Sequence, residues 1–191
     1  FKITELDIPS GTFASGGNMS TPRRYCAGFG TQTASVAAGS TPPTTSNVEE
    51  YDGNSWTEVN NLNTARYAAG PAGSQTSALC FGGNKVPSPG SADTEKWNGT
   101  NWTEVNDLST ARSTLAGVGT TTAALAVGGD TGSVSALNES WNGSAWTEVG
   151  DLNTARMFMG GSGTYTNAII FGGTVTNGAK TEFWDGTSWT E

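Results

Sequence analysis

The 191-residue chain contains no histidine. That absence removes Ser–His–Asp and Cys–His catalysis, imidazole-ligated zinc or copper, and a histidine pH switch. Cysteine is scarce. Cys26 and Cys80 are the only two, too few for a metal cage, and both fall in apolar segments, so buried thiols are expected rather than a disulfide or a nucleophile. Charge is thin at 14%, with 9 Lys and Arg against 17 Asp and Glu and a net charge of −8. Nucleic acid and anionic membranes both need clustered cations that this acidic chain lacks, so neither is expected as a partner. No apolar run approaches the ~20 residues of a membrane helix. No secretory signal is visible, and with Phe1 in first position the chain reads as processed or as a fragment.

What is abundant is glycine, 27 residues, amid Ser, Thr, Asn and Ala, with 35% apolar residues in short clusters. That combination points to folded β structure rather than disorder. The sequence then repeats itself. The motif aromatic–Asp/Asn–Gly–x–x–Trp–Thr–Glu starts at Tyr51, Trp97, Trp141 and Trp184, at intervals of 46, 44 and 43 residues. An arginine seven residues before a Gly–Thr/Ser pair recurs at Arg23, Arg66, Arg112 and Arg156. A double glycine recurs at Gly82–Gly83, Gly128–Gly129 and Gly172–Gly173, weakened to Ala38–Gly39 in the first copy. Three anchors in one order, four times, define the chain's organisation.

Each copy reads as four short strands. The first follows the arginine. The second is an almost wholly apolar run such as "AALAVGG", which suits a strand covered on both faces. The third leads into the aromatic residue, and an Asn–Gly or Asp–Gly turn then opens the fourth at the second tryptophan; these turn residues accept positive φ and mark hairpins. Four-stranded units of about this length, without helices, describe propeller blades. The double glycine closing the second strand, the aromatic–Trp hairpin and the arginine opening the next unit together resemble the kelch repeat, whose period is about 50. The resemblance spans residues 18–191. It departs in a tighter aromatic-to-Trp spacing and in the missing histidine after the arginine. The wording of the repeats ("NTAR", "GTQT", "FGG", "EEYDGNSWTEVN") is also similar to repeat arrays in structural and tail proteins of marine bacteriophages.

The resulting expectation is an all-β, kelch-like propeller. Residues 1–17 form an N-terminal strand and linker, and the repeats span 18–62, 63–108, 109–152 and 153–191. Ile3–Pro9 resembles a fourth strand, which gives four first, second and third strands but five fourth strands. Closure is therefore open between a four-bladed ring with a spare strand and a larger ring.

Hairpin register about each turn sets Tyr51 opposite Trp56, Trp97 opposite Trp102, Trp141 opposite Trp146 and Trp184 opposite Trp189. It also sets Glu49 opposite Glu58, Glu95 opposite Glu104, Glu139 opposite Glu148 and Glu182 opposite Glu191. Opposed like charges destabilise a strand pair. The only cation present in every copy is the arginine, four of nine Lys and Arg. A guanidinium can serve two carboxylates while stacking on an aromatic face, so each arginine is expected to bridge the Glu pair of its own or a neighbouring blade. Paired carboxylates also suit glycosidase chemistry or a hard cation such as Ca²⁺. A fourfold repetition on the outer half of every blade favours a structural role.

Other signals are weaker. The Asp–Gly–x–x–Trp pieces lack the Asp-box spacing and read as turns. The sequons at Asn18, Asn98, Asn101, Asn138 and Asn142 follow from turn chemistry and matter only on a eukaryotic secretory route. No Gly–Lys–Ser/Thr phosphate loop occurs. The segments between second and third strands, Ser40–Asn47, Asn84–Asp93, Asp130–Asn138 and Thr174–Lys180, vary in length and chemistry while the scaffold repeats. Variable loops on one face suit a binding surface, with Thr44, Lys85, Asp130 and Asn177 as candidate contacts and no aromatic platform in the loops themselves. These features set the expectation of a non-catalytic recognition or architectural module without cofactor or metal. Its setting would be extracellular or virion-borne, with protein partners or a surface glycan. A lectin-like module on the loop face is the alternative, and a glycan-processing enzyme domain a further one.

Overall fold

A computed structural model describes residues 16–174 and 179–191. The strand expected at Ile3–Pro9 and the loop tip at Asn177 lie outside the described residues. Among those described there is no helix, and the chain folds into four four-stranded antiparallel sheets arranged as a four-bladed β-propeller.

Blade 1 comprises β1 (Ala27–Thr31), β2 (Ala34–Ser40), β3 (Thr45–Tyr51) and β4 (Trp56–Val59). Blade 2 comprises β5 (Gly70–Ser74), β6 (Ser77–Phe81), β7 (Thr94–Trp97) and β8 (Trp102–Val105). Blade 3 comprises β9 (Ala116–Gly119), β10 (Ala124–Asp130), β11 (Val134–Trp141) and β12 (Trp146–Val149). Blade 4 comprises β13 (Gly160–Gly163), β14 (Ala168–Phe171), β15 (Thr181–Trp184) and β16 (Trp189–Thr190). Strands are ordered as they occur in the chain, so every connection within a blade is a hairpin. The first strands β1, β5, β9 and β13 line an axial channel of about 290 Å³ walled largely by glycines, among them Gly28, Gly73, Gly119 and Gly161.

The apolar second strands are covered on both faces. Ala78 and Cys80 of β6 face blade 1 and join a core with Phe29, Val36, Trp97 and Trp102. The alternate residues Leu79 and Phe81 face blade 3 and join Leu108, Leu115, Trp141 and Trp146. Val118, Leu125, Ile170, Trp184 and Trp189 form the equivalent core between blades 3 and 4. Each fully buried Leu, Val or Phe contributes roughly 1.5–3 kcal/mol, so the seams between blades carry most of the hydrophobic stabilisation. Among the described residues there are three such cores, and none between blades 4 and 1.

The double glycine has a geometric cause. Gly82 has φ +66, and a Cβ there would sit 2.6 Å from the Arg112 carbonyl oxygen of the next blade. Only a residue without a side chain allows that approach.

Two expectations about loops need correction. Thr45–Asn47 belongs to β3, and Val134–Asn138 belongs to β11. Both hairpins are tight, with a register shift at Ala38/Ser40 and at Val127/Gly129 absorbing the irregularity. Ser- and Asn-rich composition suggests a loop, but pairing against a rigid second strand overrides propensity. Cys26 also departs from expectation: it precedes β1 and is half-buried, whereas Cys80 is buried, and both are free thiols.

Candidate functional site

The arginines and glutamates form four equivalent clasps. Arg23 Nη2 lies 2.7 Å from Glu49 Oε1, Arg66 Nη2 2.6 Å from Glu95, Arg112 Nη2 2.9 Å from Glu139 and Arg156 Nη2 2.7 Å from Glu182. Each arginine opens a blade and reaches the third strand of that same blade. The second carboxylate oxygen is held by the linker backbone: Ser20 N–H donates to Glu49 at 2.8 Å, and Asn63, Ser109 and Asn153 N–H donate to Glu95, Glu139 and Glu182 at 2.7 Å. Further guanidinium donors go to backbone carbonyls, except that Arg23 Nε adds a second bond to Glu49 at 3.0 Å and Arg112 Nε is left without a partner. Arg66 reaches Gly82 O and Asp93 O, Arg112 reaches Leu137 O and Ala126 O, and Arg156 reaches Gly172 O and Lys180 O. One clasp thus ties together the linker from the preceding blade, the end of the second strand and the third strand.

The expected bridging of two carboxylates is not what forms. Register does place Glu49, Glu95 and Glu139 opposite Glu58, Glu104 and Glu148. The first of each pair is buried and clasped, while Glu58, Glu104, Glu148 and also Glu191 are exposed on the outer strand. Water screens the outer carboxylate, and linker N–H groups saturate the inner one. Glu191 pairs with Lys180 instead. Burial pushes the Glu49 carboxyl upward, but Ser20 N–H and the Arg23 guanidinium outweigh it and hold the group below the usual carboxylate range. Burial pulls the Arg112 guanidinium down, opposed chiefly by Glu139. Among the described residues no three His, Cys, Asp or Glu side chains converge on a point where an ion could sit.

The hairpin aromatics pair in the expected register, with ring centroids 5.2 Å apart in Tyr51–Trp56 and Trp97–Trp102 and 5.3 Å apart in Trp141–Trp146 and Trp184–Trp189. The Asp–Gly and Asn–Gly pieces are turns, in which Asp52, Asn98, Asn142 and Asp185 Oδ1 each accept two backbone N–H bonds.

The variable hairpins share one end of the propeller with the linkers, as the bridges Tyr67–Asn84, Ser113–Asp130 and Met157–Thr174 show. Asp130 ends β10, is half-buried, and accepts Gly132 N–H at 2.8 Å. With Asn84, Pro89, Gly90, Ser113 and Thr131 it lines a cavity of about 300 Å³. Lys85 is not free, because its Nζ lies 2.7 Å from Asp93. Thr44 is half-buried in the blade 1 hairpin, away from that cavity. Of the three candidate loop contacts among the described residues, the structure therefore brings Asp130 alone into that cavity.

The same end carries an aromatic cluster that the loops did not reveal. Tyr25 lies 6.5 Å from Tyr67 and 6.2 Å from Phe158, centroid to centroid. Tyr25 is 53% and Phe158 52% exposed. Tyr25, Ala68, Thr114 and Phe158 occupy equivalent positions and all have positive φ, between 54 and 57. Ala68 N–H donates to Tyr25 O, Thr114 N–H to Ala68 O and Phe158 N–H to Thr114 O, at 2.7, 2.8 and 2.9 Å. Non-glycine residues held left-handed are costly and concentrate at functional sites. The signal was present in the sequence, two residues after Arg23 and Arg156 and one after Arg66. It was scattered over three repeats about 44 residues apart, so no local window contained it. No protein-family model matches the chain, and no curated protein is similar to it.

Proposed function

We propose that this propeller is a non-catalytic recognition module that takes its partner on the linker face, at the mouth formed by Tyr25, Tyr67 and Phe158. The observation that carries the reading is the exposure of Tyr25 and Phe158, with the half-buried Tyr67 beside them, on a left-handed backbone arc joined by three hydrogen bonds. Aromatic faces beside polar groups such as Asn84 and Asp130 fit the apolar face and hydroxyl edge of a sugar ring, or a protein loop. The clasps support a non-catalytic reading. Their carboxylates are buried and hydrogen-bonded, and the arginine–glutamate pair recurs in all four blades.

The kelch-like anchors and the likeness of the repeats to phage structural arrays support a place in a virion appendage or another extracellular assembly. In that setting a rigid Gly/Thr-rich scaffold displays a variable face, and the partner is an assembly protein or a surface glycan. A glycan array followed by saccharide titration, read by tyrosine fluorescence, tests recognition. Binding lost in Tyr25→Ala and Phe158→Ala, with unchanged melting, is the expected outcome. Binding that survives both substitutions contradicts the mouth as the site.

A further inference from the structure

Every seam between successive blades shares one backbone contact, and the seam between blades 2 and 3 adds an aromatic and an indole contact. An N–H at the end of the second strand donates to the arginine carbonyl of the next blade: Ser40 to Arg66, Gly83 to Arg112 and Gly129 to Arg156, at 3.2, 2.9 and 2.9 Å. An aromatic residue on the trailing face meets the fourth-strand tryptophan of the next blade, Phe29 on Trp102 at 6.3 Å and Phe81 on Trp146 at 4.8 Å. Trp146 Nε1–H also donates to Thr94 Oγ1 across the seam, at 3.0 Å. Blade 4 carries the donor half of this contact without a recipient among the described residues. Its trailing face presents Phe171 and Thr181, and beside them Ile169 and Phe183, which line a groove of about 460 Å³; Phe171 is 47% and Phe183 53% exposed. Phe171 and Thr181 stand at the repeat positions of Phe81 and Thr94.

The recipient half is equally unused. Trp56 stands at the repeat position of Trp102 and Trp146 but is only half-buried, where those two are 6% and 7% exposed. Met19 and Cys26, at the positions of the buried Leu62 and Ala69, are half-buried as well. Among the described residues Gly173 N–H does not reach Arg23 O, although both equivalents pair in each of the other three seams. Tyr25 and Phe158 touch only at the mouth.

We propose that the trailing face of blade 4 docks the leading face of blade 1 of a second copy of this chain, so that copies join head to tail through a seam like that between blades 2 and 3. Trp56 of one copy would pack on Phe171 and Phe183 of the other and donate its indole N–H to Thr181. Two copies satisfy both halves by pairing reciprocally, since a heterologous contact closes only when the rotation returns to its start.

Light scattering during size exclusion tests this on the intact chain. The expected mass is twice the single chain's 19.6 kDa, or a concentration-dependent series of multiples where the ring does not close. Phe171→Asp with Phe183→Ser, and separately Trp56→Ser, should each give monomers that still melt cooperatively, because all three side chains are exposed or half-buried. Mixing the two variants should restore a dimer, because each supplies the half the other has lost. A wild-type chain that stays monomeric at all concentrations overturns the proposal. So does a dimer that survives Trp56→Ser, since that result means blade 4 faces pair with each other. A monomer in which Trp56 is shielded from a fluorescence quencher also overturns it, by showing that the two halves meet within one chain.

Discussion

Arg112 and Glu139 are joined at 2.9 Å with both side chains shut away from water, at 0% and 1% exposure. Neither group lies beside the other in sequence. One opens blade 3, the other sits in its third strand, and the linker arriving from blade 2 supplies Ser109 N–H to the same carboxylate. A buried ion pair of this kind adds little net stability over an apolar pair, yet breaking it is expensive because a lone charge is stranded. Arg112→Ala should therefore cost on the order of 3–5 kcal/mol, measured as a fall in the denaturant midpoint. Glu148→Gln, which removes the exposed carboxylate opposite Glu139, should stay within about 0.5 kcal/mol. Equal effects from the two substitutions would mean that the arginine serves both carboxylates.

The clasps also set the acid response. Glu49 is held below its ordinary pKa of 4.5 in the folded state, so the folded chain binds fewer protons than the unfolded chain in that window. Its contribution is fully present above the unfolded value and is lost as pH falls through the folded one. Denaturation at stepwise pH from 6 downward should show stability declining from about pH 4.5. In Glu49→Gln that part of the slope should be absent.

At alkaline pH the sign reverses. Burial pushes the Cys80 thiol from 9.0 up to about 11. The unfolded chain then loses its thiol proton first, and stability falls as pH rises from about 9 towards 11. Cys80→Ala should flatten this fall. Maleimide at neutral pH should label the half-buried Cys26 and leave Cys80 unmodified until the chain unfolds; fast labelling of both thiols contradicts the burial of β6.

Glycine positions should divide by geometry. Gly82→Ala forces a Cβ to within 2.6 Å of Arg112 O at φ +66 and should destabilise by about 1–3 kcal/mol. Gly28→Ala, where nothing lies within 4 Å of the added Cβ, should be tolerated. Thr114→Gly offers the converse. It relieves a β-branched residue held at φ 56 and should stabilise by up to about 1 kcal/mol, read as a rise in melting temperature.

The blades were legible because their determinants are local. Asn–Gly and Asp–Gly turns fixed the hairpins, so that Trp97 faces Trp102 and Glu95 faces Glu104 as their spacing implies. The partnership of arginine with glutamate was legible as a charge balance, but its stoichiometry was not. A backbone N–H such as that of Asn63 is invisible to side-chain reasoning, and it is what satisfies the second oxygen of Glu95, while Arg66 has Asp93 at 3.7 Å as its further carboxylate rather than Glu104. The aromatic mouth was missed for a different reason. Tyr25, Tyr67 and Phe158 meet only once the blades converge on the axis. Thr45–Asn47 at the start of β3 and Val134–Asn138 of β11 read as loop in the sequence, because Ser- and Asn-rich propensity outweighs the pairing that a rigid neighbour imposes.

Amide hydrogen exchange at the linkers tests the clasp most directly. Asn63, Ser109 and Asn153 lie outside every strand, and in an ordinary surface connection their N–H groups would exchange as fast as that of the exposed Ser133 in the β10–β11 turn. Each is instead bonded at 2.7 Å to a buried glutamate. The account predicts protection comparable to the core strand β10 at all three positions, lost selectively at Ser109 in Glu139→Gln. Linker amides that exchange at the rate of Ser133 would contradict the clasp as the joint between blades.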